Sequence, residues 1–435
     1  MSDPLQHMRV TRCQYPIGQG CFSSGRIHCA QGECSLPVDF HYIYDCGSTN
    51  PQPLRDAIDS YRKRTTFVNA LFVSHFHVDH VNGLDRLLGA VRVGTVYVPY
   101  VDPVMPILDL IEAEAEGALS ASLIESRIDP EAWFGRRGVS RVVRVLASGD
   151  EGAPAAETED GGDQGPDGRE SPPGEIPFNA DLPTSGRTSV RAERSTIPSG
   201  TPIGIARLRQ GHHWILVPHV DPAPAGHKKA FIREIRKALQ LRRRERITST
   251  RLADALRNPT EIRNLRNCYE RIVAGGSRGR HNRVSMSLYS GPAGGKNAPS
   301  WLYGIVARSA SWPRWWFGAS ELVLSPEAGG AVGWIGTGDA ALSDESVRRA
   351  WLGTYRPFSQ HLSTMLLPHH GSRHNFHREL LDFPNLRLCL ASAGARSRYR
   401  HPNRSVIGEI LNQGMGFCHV SERIHTGIQE DIWSS

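Results

Sequence analysis

The chain has 435 residues and a formal net charge of +7, long enough for a large core and for one catalytic domain carrying insertions. No apolar run approaches the roughly 18 residues needed to span a bilayer, and the opening residues lack a charged-then-apolar signal pattern. That excludes a membrane-spanning helix and points to a cytoplasmic protein with no membrane partner.

The charge is unevenly placed. Residues 228–283 hold 17 Lys or Arg against 5 acids, whereas 148–181 hold 10 acids against one Arg. A basic block of this kind suits a polyanionic substrate, though a solvated helical surface explains it too. Five of the eight cysteines lie in the first 46 residues (Cys13, Cys21, Cys29, Cys34 and Cys46). None forms a Cys-x-x-Cys pair and the chain is too long to need staples, so buried free thiols are expected.

In chain order, Met8 to Val10 alternates as a strand, Gly18 and Gly20 mark a turn, and 40–44 forms a second strand that stops at Asp45-Cys46-Gly47. Residues 53–63 have helical spacing and lead to a strand over 66–73. Beyond it come His75, His77, Asp79 and His80, then Gly83 and an amphipathic run through Leu84, Leu87 and Leu88. A buried strand at 93–99 and a helical pattern over 108–128 complete the alternation of one α/β layer.

From 148 to about 200 large apolar residues are almost missing, and the composition is that of a flexible linker. Strand character resumes at 203–208 and 211–218. The stretch 222–280 is helical and basic, with Arg242, Arg243 and Arg244 as candidate phosphate contacts. A strand near 281–289 and another at 332–340 follow, the second ending in Gly338-Asp339. Then come a strand into His369-His370-Gly371-Ser372, a strand at 388–394, Tyr399-Arg400-His401-Pro402, and a helix over 405–412.

Imidazole and carboxylate are the side chains that hold borderline divalent ions, and four of them just past a strand cannot be buried cheaply without a cation. If His75 and His77 face one side, and Asp79 and His80 the other, two ions fit side by side. Ions about 3.5–4 Å apart activate a hydroxide at neutral pH and clamp both the attacked and the leaving oxygen. Asp339, delivered by a strand end with glycine beside it, is the candidate bridge.

The pattern His-x-His-x-Asp-His between an apolar strand and a glycine-containing helix resembles the signature of the metallo-β-lactamase-fold hydrolases. With Asp-x-Gly at Asp45, Asn-x-x-Ser at Asn282 and Ser285, Gly-Asp, His-His-Gly-Ser and His-Pro in that order, the chain is similar to the hydrolase domain of ComEC-type competence proteins and their stand-alone relatives. The resemblance implies an α/β fold of the αββα sandwich type. Its first half would span 1–147 and its second half 201–221 and 281–435, with an acidic linker at 148–200 and a basic helical insertion at 222–280.

It further implies two divalent ions, zinc rather than manganese because His77 keeps a nitrogen where the ComEC-type domain often has aspartate. The ligands would be His75, His77, Asp79, His80, Asp339, His370 and His401. Asp45, Asn282 and Ser285 would orient them. The histidine that many members place before the Gly-Asp strand is not clear; His212, His213, His219, His227 and His281 are all candidates.

The expected activity is phosphodiester hydrolysis, as in a nuclease, with nucleic acid as the natural partner. Asp79 would orient the nucleophile, and His369 or His370 would protonate the leaving oxygen. Ser372 would bind a non-bridging oxygen, and Arg400, with Arg373 and His374, would touch phosphate. The wider family also hydrolyses lactones and thioesters, so small-ester hydrolysis is one alternative. Another is a metal-bound subunit of a multi-protein defence or DNA-processing system, active only with a partner.

Overall fold

The computed structural model describes residues 8–30, 34, 38–100, 110, 120–147, 176–178, 192–207, 213–221, 233, 235–242, 251, 254–255, 258, 260–265, 267, 284–294, 301–306, 331–397 and 399–434. Its strands are β1 (Met8–Gln14), β2 (Gly20–Cys29), β3 (Val38–Ser48), β4 (Phe67–Phe72), β5 (Arg92–Pro99), β6 (Arg141–Val145), β7 (Ile176–Pro177), β8 (Glu193–Ile197) and β9 (Ile203–Arg207). Next come β10 (His213–Val220), β11 (Met286–Pro292), β12 (Trp301–Val306), β13 (Gly333–Gly336), β14 (Leu362–Leu366), β15 (Leu388–Ser392), β16 (Gly416–Val420) and β17 (Ile428–Ser434). The helices are α1 (Pro51–Arg62), α2 (Val78–Val81), α3 (Leu84–Ala90), α4 (Ala121–Ile128), α5 (Pro130–Gly135), α6 (Glu345–Tyr355) and α7 (Arg404–Asn412).

Two sheets form, one ordered β12-β17-β1-β2-β3-β4-β5-β6-β8 and the other β16-β15-β14-β13-β11-β10-β9-β7. From β3 to β6 neighbours are parallel, and the helices between them are the crossovers that parallel pairing requires. Tyr42, Tyr44, Phe72 and Tyr97 of the first sheet meet Trp214, Leu216, Leu288 and Trp334 of the second in one core. On the first sheet's outer face Ile43, Leu71 and Val96 pack against Leu54 and Ile58 of α1 and Leu87 of α3. Across the second sheet's outer face Ile215, Ile335 and Met365 pack against Trp351 and Tyr355 of α6 and Ile410 of α7. The layers are therefore α, β, β, α. With both faces covered, the central strands read as continuous apolar runs.

Two strands from late in the chain return to the first sheet. β17 pairs antiparallel with β1, setting Arg9 opposite Trp433, and β12 flanks β17. The stretch whose composition reads as a linker contributes β8, which runs parallel to β6, and β7, which pairs with β9. The side chains of β8 are exposed or half-buried, so backbone pairing alone marks it as a strand. Within the basic stretch, Ile235, Leu239, Ala255 and Leu265 are buried, and Arg251 pairs with Glu261 at 2.6 Å.

The cysteine expectation needs one correction. Cys29 and Cys34 form a disulfide, their Cα atoms 6.1 Å apart and within the reach of such a bridge. Cys13, Cys21, Cys46, Cys389 and Cys418 are free. Among the described residues no helix is long and apolar enough to cross a membrane.

Candidate metal centre

Four strand ends and one turn build the site. Near the end of β3, Asp45 has a φ of 57°, and its carboxylate accepts from the Ser74 N–H, at the start of the loop that follows β4. A Cβ on Gly47 would sit 2.4 Å from the His80 carbonyl carbon, so only glycine lets α2 close down on β3. β13 delivers Asp339 through Gly338, at φ 54°. After β14, His369 and His370 both adopt left-handed backbone, at φ 46° and 59°, a rare pair for residues with side chains.

The result is two trios, His75 with His77 and Asp339, and Asp79 with His80 and His370, each with its donor atoms within 4.8 Å of one another. Asp339 belongs to both in geometry. Its Oδ2 lies 3.5 Å from His75 Nε2, and its Oδ1 lies 3.3 Å from His80 Nε2 and 4.0 Å from His370 Nε2. Asp79 Oδ2 lies 3.3 Å from His370 Nε2.

The ring orientations follow from what each Nδ1 does. Ser74 donates its hydroxyl to Asp45 Oδ2 at 2.6 Å, so Ser74 Oγ is left to accept from His75 Nδ1 at 3.0 Å. His80 Nδ1 donates to the same Asp45 oxygen at 2.7 Å, and His370 Nδ1 donates to the Ser392 carbonyl at 2.9 Å. Each proton is thus held on Nδ1, and each Nε2 presents a lone pair to the carboxylates. Nε2 of His75, His80 and His370 is buried and makes no hydrogen bond. Bonds of about 2.0–2.1 Å to a tetrahedral ion set donor atoms roughly 3.3 Å apart, close to the 3.5 Å between His75 Nε2 and Asp339 Oδ2 and the 3.3 Å between His370 Nε2 and Asp79 Oδ2. The donor set of each trio is one that could hold a divalent cation.

Electrostatics agree. Burial, and next to it His80, hold the His75 imidazole below its ordinary value. Burial also acts against a charged His80, yet the Asp339 and Asp45 carboxylates raise it well above the usual range. In Asp79, burial is outweighed by the neighbouring imidazoles of His370, His80 and His77, which keep the carboxyl ionised. Asp339 is likewise held far down, against its burial, by His369, His75 and His80.

Other candidates fall elsewhere. His401 joins neither trio; its ring centre lies 5.6 Å from that of His369 and 6.5 Å from that of His370. Burial and the neighbouring His369 and His370 depress it to about 4. Ser285 Oγ accepts from the Asp339 backbone N–H at 2.9 Å. Ser372 is buried, and its hydroxyl accepts from the His374 N–H at 3.2 Å, so it serves its own turn. Arg373, His374 and Arg400 are exposed. Arg242 is exposed too, its carbonyl accepting from Arg236 at 2.5 Å. His213 stands at the start of β10, and His219 turns to Ser199 and Thr354. Asn282, Arg243, Arg244, His212, His227 and His281 lie outside the described residues.

Sequence reasoning passed over Ser74, whose place between the strand and the first histidine was the available signal. It also passed over Arg127, which donates to the Phe76 carbonyl and lies 4.4 Å from the Phe76 ring centre, pinning the motif loop.

Residues 37–191 match the family model of the Metallo-beta-lactamase superfamily, a stretch that contains Asp45 and the whole of 75–80. Over that stretch the chain is similar to the superfamily, whose members are mostly metal-dependent hydrolases. Asp339 and His370, which complete the trios, come from beyond the matched stretch. No curated protein matches the chain.

Proposed function

We propose that this chain is a phosphodiesterase or nuclease working at a pair of divalent cations, zinc in preference to manganese. The observation that supports it is the Asp339 carboxylate, whose two oxygens face different trios. Divalent ions held there supply Lewis acidity toward a phosphoryl oxygen and lower the pKa of water. Asp79 and His80 anchor one side, and His75 and His77 the other. Asp45 and Ser74 keep the rings from turning away. Arg373, His374 and Arg400, exposed on the loops that carry His370 and His401, are placed to meet the charge of a polyanion. The basic stretch at 228–283 adds sequence-independent attraction.

The test is the purified chain loaded with zinc or manganese. It is offered bis(p-nitrophenyl) phosphate and labelled single- and double-stranded nucleic acids beside a lactone and a thioester. Cleavage of the phosphodiesters, lost in Asp339→Ala, is expected. Turnover of only the lactone or thioester, or of nothing until a partner protein is added, would overturn the reading.

A further inference from the structure

The two trios leave one question of chemistry. A four-coordinate ion at His75, His77 and Asp339 has one position unfilled by these three, and open positions in such sites face substrate. One further imidazole stands close by. His369 Nε2 lies 3.7 Å from Asp339 Oδ2, the same oxygen that lies 3.5 Å from His75 Nε2.

What the His369 ring offers at that nitrogen is decided by Asn375. The Asn375 amide nitrogen donates to the Asp339 carbonyl at 3.1 Å and to the Ala340 carbonyl at 3.2 Å. Both its hydrogens are then committed, and its Oδ1 can only accept. That oxygen lies 3.1 Å from His369 Nδ1. Nδ1 must therefore carry the proton and Nε2 the lone pair, aimed at the Asp339 side. The frame is common to both residues. The His369 backbone N–H donates to the Gly338 carbonyl at 2.9 Å, so the turn bearing the imidazole is bolted to the loop bearing the carboxylate. Left-handed backbone at three successive positions, His369, His370 and Gly371, sends the two imidazoles in different directions, their ring planes 78° apart. His370 goes into the second trio and His369 toward the first.

We propose that His369 is the fourth protein donor to the cation at His75, His77 and Asp339, and that Asn375 is the residue that positions it. This rests on the two-cation reading above and departs from the role of proton donor that the sequence suggests for His369. The His369 side chain is 29% exposed against 9% for His75, so it is the donor on the open side and the one substrate would displace.

The experiment measures zinc affinity by chelator competition, with cobalt absorption spectra as a second readout, on wild type, H369A, N375A and the double variant. Wild type holds two ions. H369A and N375A each weaken one of the two by roughly 10–100-fold, leave the other alone, and change the cobalt bands of one centre only. The double variant is weaker than H369A by less than the effect of N375A alone, because Asn375 acts in part through the imidazole and in part through its bonds to the Asp339 and Ala340 carbonyls. Histidine-selective 15N spectra of the zinc-loaded wild type, which need no variant to fold, show a metal-bound Nε2 at His369. Two ions bound with equal affinity in wild type and H369A, or a His369 resonance indifferent to zinc, overturns the assignment and leaves the proposed function standing. A wild type that binds fewer than two ions removes the proposed function itself.

Discussion

Asp45 and His80 are joined by a 2.7 Å hydrogen bond from the imidazole Nδ1 to a carboxylate with no exposed surface, and that carboxylate also receives the Ser74 amide and hydroxyl, both at 2.6 Å. Three donors converge on one acceptor. Asp45→Asn replaces half of that acceptor with a donor, so at least one of the three must turn away. The expected result is a loss of roughly 10–100-fold in metal affinity with secondary structure intact. Chelator competition measures it. Unchanged affinity would remove Asp45 from the site.

A methyl group at Gly338 has nowhere to go. Its Cβ would fall 2.3 Å from Ser285 Oγ and 2.9 Å from Ser74 Cβ, and φ is +54°. Gly338→Ala should therefore cost about 1–3 kcal/mol through strain alone, and it should loosen metal binding because Asp339 is the next residue. Urea melts with and without zinc separate the two effects. Gly89, with open space around its Cβ, is the control.

Much of this architecture was legible in the chain because local patterns carried it. The strand running into His75, the glycine after the Asp45 turn and the Gly338-Asp339 strand end each announce themselves within a few residues. What stayed hidden depends on partners far away in sequence. β17 joins β1 across some four hundred residues, setting Ile432 against Val10. The exposed and half-buried side chains of β8 carry no periodic signal. Asn375 binds by an amide that looks, in sequence, like any turn residue. The Cys29–Cys34 pairing depends on the 6.1 Å between their Cα atoms, a distance that residue types alone do not reveal.

Removing metal should destabilise the fold, and the sign follows from burial. Nε2 of His75, His80 and His370 is enclosed without a hydrogen bond, facing carboxylates that are held ionised. A cation satisfies both sides only in the folded chain. At free zinc one hundred times its Kd the gain is about 2.7 kcal/mol per ion. Chelation should lower Tm, zinc should restore it, and Asp339→Ala should show little response to either. A Tm indifferent to chelator in wild type would argue against any bound ion.

The last prediction concerns the two sheets themselves. Arg12 of β1 is buried, pairs with Glu430 of β17 at 3.0 Å, and reaches across the sandwich to the carbonyls of Ser290 at 3.3 Å and Val332 at 2.8 Å. Glu430 also accepts from Tyr303 Oη at 2.5 Å and Thr364 Oγ1 at 2.6 Å. One guanidinium thus links the returning C-terminal strand to the sheet that carries Asp339. Arg12→Met leaves a carboxylate with 2% exposure facing two hydroxyls and no cation, and breaking such a pair costs about 3–5 kcal/mol. Pairing it with Glu430→Gln should recover part of the loss, because the amide needs no counter-charge. Since neither residue touches the trios, metal affinity of the folded fraction should stay at the wild-type value. A single variant as stable as wild type would show that the apolar faces hold the sheets together unaided.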